Sequence, residues 1–181
     1  MKKVILAFIM FFVLSSTSFA DSNVYITQSG ASLDLDITLD GNGNAVGASS
    51  DRTLLTGANL DVDIDLIGAT NTITGDFIGA GESGSDDLKI SQTGSTNTTA
   101  INVGASAATD DVKILETRVG SSGETTYTIG SSATVQDVSV TVDVIGDDID
   151  IALTENSSSS GSDKTTDIDI GTDSDDVDIV V

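Results

Sequence analysis

Apolar and polar residues alternate one for one along much of this chain. Val62, Ile64 and Leu66 fall on one side of the backbone, while Asp61, Asp63 and Asp65 fall on the other. A period of two is the pattern of a strand with one buried face. It recurs from Leu88 to Gln92 and from Val138 to Val144, and it resumes after a short break. Asn97, Thr99, Ile101 and Val103 then share a face. Gly123, Thr125, Tyr127 and Ile129 are their equivalents in the next unit, and Ile149 and Ile151 continue the column.

The breaks are as regular as the strands. Gly68, Gly94, Gly120 and Gly146 keep one constant step, and Gly41 precedes them at nearly the same spacing. A fixed step of this size, about 26 residues, marks a repeat architecture. The break reads Gly-x-x-Asn from Gly41 to Asn44, from Gly68 to Asn71 and from Gly94 to Asn97, and Gly123 replaces the asparagine after Gly120. Both residue types tolerate positive φ, so the pattern predicts a tight reversal between two arms. Connections rich in Gly, Ser, Ala and Asp are expected at 47–59, 79–86 and 104–110, with a mobile serine-rich loop near 154–165.

One strand–turn–strand unit cannot bury its apolar face alone, whereas stacked copies can. The expected fold is all-β: stacked repeats of about 26 residues forming a β-solenoid with open ends. Five or six rungs at about 4.8 Å give a body roughly 25 Å tall. With no proline in the chain, and with residues 177–181 themselves reading as a strand, both ends are expected to expose unpaired edges.

The start of the chain follows a different rule. Lys2 and Lys3 precede eleven apolar residues, Val4 to Leu14, and small residues lead to Ala20. That order predicts a secretory signal peptide over 1–20, too short to span a bilayer, followed by one repeat domain over 21–181. Removing the two leader lysines leaves five positive charges against 29 acidic ones, a net charge of −24. Such a surface argues against nucleic acid and anionic lipid as partners. No other run is apolar enough for membrane insertion.

The absence of histidine and cysteine removes most nucleophilic triads and transition-metal sites. Carboxylate pairs recur at 34/36, 61/63/65, 148/150, 167/169 and 176/178, as solvated strand faces would, and no enzymatic activity is expected. Stacked carboxylates repel. Low pH or calcium, a hard cation suited to oxygen ligands, is therefore expected to promote assembly at the acids of 61–65 and 167–178. No cofactor is otherwise implied.

Asp87 to Ala100 reads Asp-Leu-Lys-Ile-Ser-Gln-Thr-Gly-Ser-Thr-Asn-Thr-Thr-Ala. This segment resembles the curlin repeat of bacterial curli fibres: alternating apolar positions, Gln-x-Gly-x-x-Asn, then a second strand. Val24 to Gly30, with Gln28, matches its first half. The positions expected to stack are Gln28, Gly30, Gly41, Asn44, Gly68, Asn71, Gln92, Gly94, Asn97, Gly120 and Gly146. Alternation places Gln28 and Gln92 inward, where amides can bond along a stack, with Leu66 packing in the equivalent position.

The resemblance implies a secreted functional amyloid, a homopolymer in an extracellular fibre at the bacterial cell surface. It further implies an outer-membrane secretion pore, a nucleator subunit, and roles in adhesion and biofilm matrix. The alternative is a monomeric acidic β-solenoid binding module, such as a calcium-dependent adhesin. An ice-binding solenoid is disfavoured, because Thr70-x-Thr72-x-Thr74 and Thr96-x-Thr98 are not expected to hold register between units.

Overall fold

A computed structural model describes residues 21–30, 32–48, 50, 52–79, 86–104, 111–130, 137–155, 164–171 and 177–180. The expected signal peptide and most of the serine-rich loop lie outside these residues. Fifteen strands follow in order: β1 (Ser22–Val24), β2 (Thr27–Ser29), β3 (Asp34–Asp40), β4 (Gly43–Val46), β5 (Thr53–Gly57), β6 (Asp61–Ile67), β7 (Thr70–Gly79), β8 (Asp86–Thr93), β9 (Thr96–Val103), β10 (Val112–Val119), β11 (Ser122–Ile129), β12 (Val138–Ile145), β13 (Ile149–Glu155), β14 (Lys164–Ile170) and β15 (Val177–Val180).

All pairings among these strands are parallel. One sheet takes the first arms in the order β3-β6-β8-β10-β12-β14, and the other takes the second arms in the order β1-β4-β7-β9-β11-β13-β15. The chain is thus a β-solenoid of about five turns with a repeat near 26 residues.

The register makes the sequence columns physical. Val62 lies on Leu88, Leu88 on Ile114 and Ile114 on Val140. Facing them from the second sheet, Phe77 lies on Val103 and Val103 on Ile129. All seven are buried between the sheets. Pleating sends every second side chain into this space, so period-two alternation becomes a core stacked in columns.

Glycine is required at the break for a reason other than the expected one. None of Gly41, Gly68, Gly94, Gly120 and Gly146 has positive φ. Instead a Cβ on Gly68, Gly94, Gly120 or Gly146 would overlap the carbonyl oxygen of the glycine one rung earlier. The close approach is cemented by amides. Gly41 N–H donates to Ile67 O, Gly68 to Thr93 O, Gly94 to Val119 O and Gly120 to Ile145 O, at 2.9–3.0 Å. Positive φ occurs mainly at the opposite corner, where the chain returns to the first sheet: Ser32, Asn59, Asp111 and Asp137. Short polar side chains tolerate that conformation best after glycine.

Two further expectations change. The connection expected at 47–59 contains β5, which pairs with both β2 and β7. The segment 24–30, read as a first arm, pairs with second-arm strands instead.

Gly94→Ala is expected to lower folding stability, read from the urea midpoint, by at least about 2 kcal/mol, as overpacking against backbone does, with Gly30→Ala within about 0.5 kcal/mol. A Cβ on Gly30 meets nothing within 4 Å. Equal midpoints for the two variants would contradict the close-approach account.

Candidate assembly surfaces and the polar interior

The asparagines of the turn form a buried ladder. Asn44 Nδ2 donates to Asn71 Oδ1 at 3.0 Å, and Asn71 Nδ2 to Asn97 Oδ1 at 2.9 Å. Each amide also donates to a carbonyl one rung on: Asn44 to Ile67 O, Asn71 to Thr93 O and Asn97 to Val119 O. These carbonyls are the ones that accept the glycine amides, so the two columns form one hydrogen-bonded seam. Buried amides need such partners, since an orphaned one costs about 1–3 kcal/mol.

The ladder stops at Gly123 because another side chain occupies the place of its amide. A Cβ on Gly123 would lie 2.9 Å from Arg118 Cζ and 3.0 Å from Nε. Arg118, 2% exposed, projects inward from β10 in register with Gln92. Its column runs Leu39, Leu66, Gln92, Arg118, Val144, Ile170. Gln92 is buried as expected, but a guanidinium lies on one side of it and Leu66 on the other.

Gln28 does not stack with Gln92. It sits in the other sheet opposite Leu55 and is exposed at the end of the stack. Gly30 likewise belongs to a different corner from the turn glycines, its amide bonded to Thr56 O.

Glu116 is the least expected interior residue. Its column is otherwise aliphatic: Ile37, Ile64, Ile90, then Val142 and Ile168. Three hydroxyls surround it: Thr99 at 2.8 Å and Thr125 at 3.1 Å on Oε1, and Tyr127 at 3.1 Å on Oε2. Arg118 Nη1 donates to Thr125 Oγ1 at 2.7 Å. Thr99 Oγ1 also lies 3.1 Å from Gln92 Oε1, so one hydroxyl proton faces two acceptors. A proton on Glu116 resolves that conflict, because it donates to Thr99 while Thr99 donates to Gln92.

Burial pushes the Glu116 carboxyl above its ordinary range, against the opposing pull of Arg118 and the hydroxyls. Burial and the nearby carboxylate push the Tyr127 phenol up. Alternation gives no warning of this cluster, since Glu116 and Arg118 simply occupy inward positions. Reading the columns from one unit to the next finds both.

The acids themselves line the outer faces. Asp34, Asp61 and Asp87 form one column, followed by Lys113. Asp36 and Asp63 form another, ended by Lys89, whose Nζ lies 3.2 Å from Asp63. On the second sheet Glu124, Asp150 and Asp178 stack in register. Among the described residues no group of three or more acids is arranged to hold a metal ion.

Two of the threonines hold register for one step, contrary to expectation, while Thr74 lies on Ala100. Thr70 lies on Thr96 and Thr72 on Thr98, but the columns pass on to Ser122 and Glu124 after two rungs. No family model, curated protein or solved structure matches the chain.

A carboxyl whose folded pKa exceeds its unfolded value near 4.3 stabilises the fold fully below that value, and loses the contribution as pH rises through the folded pKa. Glu116→Gln is therefore expected to flatten part of the fall in urea midpoint as pH rises above about 4.3. An unchanged slope would place the ionised form of Glu116 in the fold.

Proposed function

We propose that this chain is a structural subunit of an extracellular, curli-like amyloid fibre, acting in cell adhesion and biofilm matrix by templated strand stacking. The observation that carries the reading is the state of the two ends. β3 and β1 at one end, and β14 and β15 at the other, are edge strands of parallel sheets, and among the described residues no helix covers either. An uncovered edge presents a row of backbone donors and acceptors to another chain. A second copy offers the same repeat in the same register, so its addition extends both the ladder and the apolar columns.

The inward residues support a polar, head-to-tail addition. Continuing the first sheet's register from β14 to β3 sets Ile168 of one copy against Ile37 of the next, and Ile170 against Leu39. The high negative charge opposes this step until carboxylates are protonated or screened, and it keeps the chain soluble beforehand. Export through an outer-membrane pore and initiation by a nucleator subunit belong to the same reading.

The test begins with residues 21–181 purified in denaturant and diluted into buffer. Thioflavin fluorescence and electron microscopy are expected to report fibres after a lag, and preformed fibres are expected to abolish the lag. A folded monomer that neither polymerises nor responds to seeds would reject the homopolymer and favour the monomeric binding module.

A further inference from the structure

The two ends of the stack are unequal. At the N-terminal end the second sheet extends one level beyond the first. β1 and β2 cover β4 and β5, while β3 ends the other sheet with no described strand opposite them. Val24 and Ile26 face this gap half-buried, as do Leu35 and Leu39 of β3. At the C-terminal end β14 pairs with β12 over seven residues, but β15 pairs with β13 over only four. Ile179 and Val180 are left 43% and 59% exposed.

We propose that adjacent copies in the fibre share one rung, in which residues 22–29 of one copy displace β15 of the other and lie opposite that copy's β14. This inference rests on the homopolymer reading above and specifies its junction.

The register fits the exchange. Ser22 belongs to the column of Asn44, Asn71, Asn97, Gly123 and Ile149. Thr27 belongs to that of Leu54, Asp76, Asn102, Thr128 and Thr154. Both are separated from their β13 equivalents by the same number of residues, so the segment lies on β13 without a slip. Val24 then covers Ile151 and Ile26 covers Leu153, whereas β15 ends at Ala152. Within its own chain the segment faces β4 and β5, which are separated by residues 47–52. The unbroken β13 of the other copy pairs with the segment's free edge, while β4 and β5 keep the opposite edge.

Like-charge contacts are equal in number with and without the exchange. β15 sets Asp178 on Asp150, which already lies on Glu124. The incoming segment sets Asn23 there instead and removes one of three stacked carboxylates. On the opposite sheet β14 fills the gap above β3, bringing Ile168 and Ile170 over Ile37 and Leu39. That contact costs one like-charge pair, Asp167 with Asp36. Docking β15 directly on β1 would avoid the exchange but leave a strand-wide gap between β14 and β3.

Cysteine crosslinking separates the two junctions. Asn23, Asp150 and Asp178 are exposed strand positions where substitution spares the core. Paired strands sit about 4.8 Å apart, within disulfide reach. Asn23 and Asp150 of one chain are five levels apart, about 24 Å, so a bond between them must join two copies.

Fibres grown from equal mixtures of N23C and D150C chains, then oxidised, are expected to give covalent dimers at least tenfold more abundantly than mixtures of N23C and D178C. The reverse preference would overturn the shared rung while leaving the homopolymer intact. Failure of every mixture, and of the unsubstituted chain, to form fibres would overturn both.

Discussion

In a parallel solenoid a strand bonds to its equivalents one turn before and one turn after, never to the strand that follows it. Each rung must therefore repeat the backbone path of its neighbour closely enough for every amide to meet a carbonyl. The tightest point is the turn, where the glycine amide donates into the next rung and its α-hydrogen faces the previous glycine's carbonyl. Any side chain there pushes two rungs apart. The asparagine ladder draws on the same carbonyls, so loss of rung spacing at the turn would break the side-chain seam along with the backbone one.

That constraint explains what is legible in the sequence. A repeated path demands a repeated step, and the glycines at 68, 94, 120 and 146 record it without a slip. With the step known, alternation assigns the inward columns, and the register sets them one on another from Val62 through Val140. Expectation fails where local pattern and long-range register part company. Residues 24–28 alternate like a first arm, but strand partners decide their sheet, and those are second arms. Thr53–Gly57 is too short and too interrupted to announce a strand, and it forms because β7 offers it a template. Turn chemistry is ambiguous in another way, since glycine at a break is equally suited to positive φ and to close contact.

The interior polar cluster shows the cost of departing from the repeat. Arg118 takes the space that an asparagine amide fills elsewhere, and Gly123 supplies the room. Glu116 is accommodated only because Thr99, Thr125 and Tyr127 turn hydroxyls toward it. A slip of the stack by one rung would set these groups against aliphatic neighbours. Buried polar groups of this kind can specify register at some expense of stability. The outer faces divide labour differently: lysines interrupt the carboxylate columns in the middle of the first sheet, while Asp34 and Asp36 at one edge and Asp167 and Asp169 at the other leave both ends acidic. Ends of like charge repel each other, while the inward residues of the same edge strands, Ile37 and Leu39 at one end and Ile168 and Ile170 at the other, are apolar.

In the proposed fibre the hydrogen-bond ladder within one chain continues unbroken into the next. X-ray diffraction from oriented fibres of residues 21–181 tests it most directly. A continuous ladder gives a sharp meridional reflection at about 4.8 Å and a diffuse equatorial one at about 10 Å from the packed sheets. Fibres whose strand reflection lies on the equator, or that lack it, would show that the ladder does not run from one copy to the next.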